Sequence, residues 1–167
     1  MTKGAGLRDT IAPRLGYLLR RASAAMMGDL GEHLAAVALR PVEATILILV
    51  GDNPGCIQSD LGRVLGIKRA NMVPLIAALA GRGLLVKSPV DGRSLALSLT
   101  DAGAEMRARA QAIMDAHEAR FHALLGHEEE NALRAALTII AASGAGEDEA
   151  PAPSPPGTRG AQAPLAR

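Results

Sequence analysis

Apolar residues recur at every third or fourth position from Leu7 through Ile11, Leu15, Leu18, Leu19, Ala22 and Met26, and Arg8, Arg14, Arg20 and Arg21 fall between them. That period is helical, so an amphipathic helix is expected over roughly 7–28, with Pro13 as the alternative point for its proper start. Gly28 and Gly31 weaken the pattern, and 30–39 is expected to form a separate turn or short helix. Pro41 opens the next helix, which carries Ile46, Leu47, Leu49 and Val50 until GDNPG stops it. A helix this apolar belongs in a core.

From Ile57 to Thr100 the period changes twice. Ile57, Leu61, Val64 and Leu65 put one apolar face on a short helix, and Gly66 permits a sharp turn. A second helix starts near Ile67 or Lys68. At about 100° per residue, Met72, Leu75, Ile76 and Leu79 gather on one side for packing. Ala70, Val73, Pro74 and Ala77 take the other side, an unusually apolar outward face. Lys68, Arg69 and Asn71 concentrate polar capacity at the amino end, where backbone N–H groups also favour phosphate. Pro74 lacks an N–H and lies beyond the first turn, so a bend or local loosening is expected there.

Gly81 or Gly83 ends that helix. LLVKS then reads as a strand, PVDGRS as a turn with Asp91-Gly92 at its tip, and Leu95, Leu97 and Leu99 as the inward face of a returning strand. Short helix, turn, helix and hairpin, in that order, make a winged helix-turn-helix. Arg93 at the hairpin tip is placed to enter a minor groove beside a helix in the major groove, and Asp91 can orient it.

Thr100 and Asp101 suit the start of a long helix through Met106, Ala110, Ile113, Met114 and Phe121 to about Leu125. Another helix follows from about Glu128 to Ala141, with Leu133, Ala136, Leu137 and Ile140 on its apolar face. Beyond it the chain turns to SGAGEDEAPAPSPPGTRGAQAPLAR, a composition too poor in large apolar residues to fold. The expected class is therefore mainly α with a small β-hairpin wing. Residues 1–6 are expected to be flexible and 7–142 to form one domain, with 41–100 as the winged helix-turn-helix, 7–40 and 101–142 as dimerisation helices, and 143–167 as a disordered tail.

A net charge of +1 over 167 residues hides an asymmetry. Residues 57–100 hold Arg63, Lys68, Arg69, Arg82, Lys87 and Arg93 against Asp60 and Asp91, whereas 101–150 hold ten acids and four arginines. A local positive field favours phosphate, and the acidic remainder limits indiscriminate adhesion. The one cysteine, Cys56, excludes an internal disulfide framework, and no apolar run approaches the length of a membrane span. A cytoplasmic location and no membrane partner are expected.

LGRVLGIKRANMVPLIAAL and GRGLLVKSPVDGRSLALSLTDAG, set between long helices, are together similar to the MarR-type transcriptional regulators, over roughly 7–140. The DGRS tip followed by alternating apolar residues and LTDAG is the most specific part. The resemblance implies a homodimer on pseudopalindromic duplex DNA, acting as a repressor released by a small aromatic, phenolic or lipophilic effector. It also makes Arg93 the wing arginine and Asp91 its acidic companion. Lys68, Arg69, Asn71, Val73 and Pro74 fall where the family lines or approaches the major groove. Val73 and Pro74 depart from the commoner polar choices there.

For an effector pocket the first helix offers Arg14, Tyr17, Arg20 and Arg21, with His33 after it, combining aromatic contact with carboxylate recognition. Other chemistry reads blandly. HEARFH has one residue too many for a zinc-binding HExxH, and His117 and His122 lie about 140° apart on a helix, so no metal site and no cofactor are expected. Cys56 reads as a small residue at a helix entry, without the basic neighbours of a reactive thiol. No phosphate-cradling loop, nucleophile elbow or paired acid–base motif supports an enzyme. The alternative is a winged helix that binds protein without sequence-specific DNA binding, which the apolar outward face would suit.

Overall fold

The computed structural model describes residues 9–90 and 94–144. They fall into two compact units that divide between Ala123 and Leu124. The first holds α1 (Leu15–Ala35), α2 (Pro41–Asp52), β1 (Cys56–Ile57), α3 (Gln58–Leu65), α4 (Arg69–Gly81), β2 (Leu85–Pro89), β3 (Leu95–Leu99) and α5 (Asp101–His122). The second holds α6 (His127–Gly144).

The core gathers around α2, whose Ile46, Leu47 and Val50 are fully buried together with Leu34 of α1, Met72, Ile76 and Leu79 of α4, and Leu97 of β3. Buried Ala44 and Ala110 offer small side chains where α2 packs on α5, so the helices can approach closely. Pro41 is the first residue of α2, where its missing N–H is no loss. Three residues after the cap position Arg40, the Glu43 carboxylate accepts from the Arg40 backbone N–H at 2.9 Å, the reciprocal half of a capping box.

α1 differs from its expected extent. It begins at Leu15, close to the Pro13 start and not near Leu7, and runs unbroken through Gly28 and Gly31 to Ala35, absorbing what the sequence suggested as a separate turn. Two glycines cost about 1 kcal/mol each against alanine, but burial of Leu30 and Leu34 offsets that from the far side of the break. The helix is therefore held by tertiary contact at its carboxyl end, where local propensity is weakest.

α3 and α4 follow the expected helix-turn-helix, their axes turning through 118°. Gly66 caps α3 at φ 62°, a left-handed conformation that favours glycine. Ile67 N–H reaches back to the Gly62 carbonyl at 2.9 Å. A Cβ on Gly62 would stand 2.9 Å from the Ile67 carbonyl oxygen, so the turn also closes over the absence of a side chain there. Met72, Ile76 and Leu79 are buried, as their spacing predicts. Val64 is not: it is 69% exposed, because Leu61 alone of the α3 apolar set points fully into the core.

The sheet has three antiparallel strands in the order β1-β3-β2. The hairpin registers Leu85 with Leu99, Lys87 with Leu97 and Pro89 with Leu95. β1 adds Cys56 opposite Leu97, so Cys56 stands in a short strand that leads directly into α3, at the helix entry the sequence suggests. Of the alternating leucines, Leu97 is buried and Leu99 half-buried, whereas Leu95 near the tip is exposed, having outrun the body of the domain.

The junction from wing to α5 is tightly determined. Thr100 Oγ1 accepts from Gly103 N–H at 2.9 Å, the expected cap, and its hydroxyl donates to the Gly83 carbonyl at 2.6 Å. A Cβ on Gly103 would lie 2.0 Å from the Leu84 carbonyl oxygen. The LTDAG run thus ends on glycine because backbone occupies the space of a side chain.

Candidate nucleic-acid interface

Lys68 is the amino-terminal cap of α4, Arg69 its first residue and Asn71 its third, and all three are exposed. No side chain caps this end. The first-turn N–H groups and two cations therefore stand together at the end of one helix, an arrangement suited to phosphate. Val73 and Pro74 lie on the exposed side one turn further along. Arg63 of α3 is exposed too, and pairs with Asp60 at 3.2 Å. Lys87 is exposed on β2, so the wing carries a cation along its length as well. Val90 N–H donates to the Ser94 carbonyl at 3.1 Å across the base of the tip. Asp91 and Arg93 lie outside the described residues.

Behind this surface, Glu43 ties the start of α2 to the end of α4. It is 5% exposed and meets Arg40 at 3.0 Å and Arg82 at 3.8 Å. Burial pushes its carboxyl up, but the Arg40 hydrogen bonds and the charges of Arg40 and Arg82 outweigh that and hold it below the usual range. At the other end of α2, Asp52 pairs with Arg107 of α5. Burial, followed by the Asp60 charge, pushes the Cys56 thiol up, the opposite of what a reactive thiolate needs.

A second constellation was not legible as one in the sequence. Asp29 of α1 pairs with Arg120 of α5, and its Oδ2 lies 3.6 Å from His117 Nε2 and 3.8 Å from His33 Nδ1. The hydrogen bond from Arg120, ahead of the opposing effect of burial and then the neighbouring charges, holds the Asp29 carboxyl below the usual range. His117, 4% exposed, donates from Nε2 to the Met26 carbonyl at 3.0 Å, and its ring centroid is 4.9 Å from that of Phe121. His33 donates from Nδ1 to the Asp29 carbonyl at 2.7 Å, leaving Nε2 to accept from Arg120 at 3.3 Å. Two helices thus hold each other through polar groups at i,i+4 spacing on α1 and i,i+3 spacing on α5. That pairing of spacings was the available signal, and its meaning depended on which faces met.

These groups border a cavity of about 240 Å³, lined by His33, Ala112, Ile113, Ala116, His117 and Arg120. An apolar cavity of about 150 Å³ accepts benzene, so this one has room for a single substituted ring. His33 is the only one of the five sequence-predicted pocket residues in its lining. Arg14, Tyr17, Arg20 and Arg21 lie 12–19 residues earlier, roughly 18–28 Å along the helix. There the Arg20 and Arg21 guanidinium carbons stand 5.2 and 5.8 Å from the Tyr17 ring centre.

The sequence profile of the MarR family matches residues 39–94. An HTH-type transcriptional repressor of Mycobacterium tuberculosis is 32% identical over 122 residues, covering 72% of this chain and 86% of the relative. Among solved structures, the transcriptional repressor CouR bound to a 23-mer DNA duplex superposes with a TM-score of 0.76 at 39% identity, over 82% of this chain and 99% of that one. CouR bound to p-coumaroyl-CoA gives a TM-score of 0.74 at 36% identity, over 81% and 98%.

Proposed function

The chain belongs to the MarR family, and from that premise we propose that it is a homodimeric, ligand-responsive repressor that holds duplex DNA with the α4 amino end and the wing. One observation carries the reading. Lys68 and Arg69 crown the uncapped end of α4 in a fold that matches nearly the whole of a repressor structure containing a DNA duplex. In this reading α2 to β3 form the reader, while α1, α5 and α6 join two copies. Leu15, Leu18 and Met27 of α1 are exposed, as are Leu133, Leu137 and Ile140 along one stripe of α6. Two copies related by a twofold axis present two readers, which fits an operator with pseudopalindromic half-sites. We assign no catalytic role and place the protein in the cytoplasm beside its operator. No single helix among the described residues is long and apolar enough to cross a membrane.

The effector belongs in the α1–α5 cavity, its ring against Ala112, Ile113 and Ala116 and its polar end toward His33 and Arg120. Small phenolic acids and their CoA thioesters match that division, and the CoA portion can extend into solvent through the open side. Genomic duplex selection with the purified protein, followed by titration of the recovered operator, tests DNA binding. Arg69→Ala is expected to weaken the operator complex about tenfold and flatten its salt dependence by roughly one unit of slope. Arg93→Ala should also weaken it, with more loss on operators that have a narrow minor groove. Failure to retain any genomic duplex would leave the protein-binding winged helix in its place. Release by p-coumaroyl-CoA or by free single-ring phenolic acids tests the effector class. His33→Gln should lower effector affinity about tenfold, the worth of one charge-assisted hydrogen bond, while operator affinity persists.

A further inference from the structure

Between Asn71 and Gly81, α4 contains no side chain that can donate or accept a strong hydrogen bond: the run is Met72, Val73, Pro74, Leu75, Ile76, Ala77, Ala78, Leu79 and Ala80. Its buried face is accounted for by Met72, Ile76 and Leu79. Its exposed face carries Ala70, Val73, Pro74 and Ala77 at spacings of three and four, with Val73 47% exposed. This stripe begins directly beside Lys68 and Arg69, so a phosphate backbone held by those cations brings base edges to the apolar side chains, not to polar ones. The one apolar group that a standard base pair offers in the major groove is the thymine C5-methyl.

We infer that α4 reads its operator through thymine methyl groups packed against Val73 and the flanking Ala70 and Ala77, with direct hydrogen-bonded readout confined to Asn71 in the first turn. The inference rests on the DNA-binding reading above. Val73 is then a specificity-determining residue. It favours T·A at the contacted positions because a cytosine or purine there leaves the valine methyls against polar edges.

Replacing thymine by uracil removes the C5-methyl alone and leaves every Watson–Crick and groove hydrogen bond in place. The recovered operator is therefore made with single thymine-to-uracil changes across each half-site, and binding is titrated at fixed salt. At least one position per half-site is expected to lose about fourfold in affinity, the equivalent of one buried methyl group. Val73→Ala should retain binding but bring the thymine-to-uracil ratio at that position close to one. Val73→Thr, of equal size, should reduce the ratio partway. Arg69→Ala should weaken thymine and uracil operators by the same factor. Tight binding with equal affinity for thymine and uracil at every position would overturn methyl readout while leaving the DNA-binding function intact. An undiminished ratio in Val73→Ala would remove Val73 from the role. Absence of binding to any duplex would overturn both readings together.

Discussion

Gly103 is the residue whose replacement has the most predictable sign. A Cβ would lie 2.0 Å from the Leu84 carbonyl oxygen, so either α5 or the start of β2 must move. Because Thr100 fixes the same junction through two hydrogen bonds, neither can move without breaking a cap. Gly103→Ala is expected to destabilise by about 3 kcal/mol or more, read as a lowered thermal midpoint. Gly28 is the control of opposite sign. It lies inside α1 with open space where its Cβ would stand, and Gly28→Ala should stabilise by about 0.5–1 kcal/mol. Glu43 gives a prediction in pH. Its carboxyl is depressed in the folded protein, so its contribution is present above the ordinary glutamate value of about 4.3 and is lost as pH falls through the folded value. Glu43→Gln should therefore cost about 1.5–3 kcal/mol at neutral pH. In denaturant titrations its difference from the parent protein should shrink steadily below about pH 4.

At the scale of elements, α4 combines a sequence feature that opposes helix with a structure that keeps it. Pro74 removes the hydrogen bond to the Ala70 carbonyl, yet the helix continues from Arg69 to Gly81 because Met72, Ile76 and Leu79 are buried on both sides of the proline. Pro74→Ala should stabilise by about 1–3 kcal/mol, measured by chemical denaturation. Such periodicity is also why the reader was legible in advance: its apolar set and its αL turn are local in sequence, as is the threonine cap of the α5 helix that follows. What was not legible depended on contacts distant along the chain. Gly28 and Gly31 read as a break until Leu30 and Leu34 are seen buried against the core. Val64 read as core by spacing alone, and β1 is too short for any strand pattern, existing only by pairing with Leu97. The proposed effector region divides in the same way. His33 was visible as a candidate, but Asp29, His117 and Arg120 acquire meaning only when α1 and α5 are laid together.

At the scale of the whole molecule, the proposed effector site in the α1–α5 cavity must act on a reader helix that does not line it. α5 supplies a continuous route. Its carboxyl half lines the cavity through Ala112 to Arg120, and its amino end is locked to the wing by Thr100 and Gly103. Between them, Arg107 grips Asp52 at the end of α2. On the proposed reading, an effector there would separate Arg120 from Asp29, alter how α5 lies on α1, and pass that change along the helix to wing and reader. Because binding free energies are linked, the coupling must be reciprocal. Effector affinity measured with saturating operator should fall by the same factor by which effector lowers operator affinity, about 5–150-fold for ordinary allosteric proteins. Arg107→Ala tests the route. It should leave effector affinity of the free protein within about twofold while reducing that shared factor, since it cuts the α5–α2 link without touching the cavity lining. Unequal factors in the two directions would show that release proceeds through a third species, such as dissociation of the dimer, and sedimentation of the effector-bound protein would then reveal monomer.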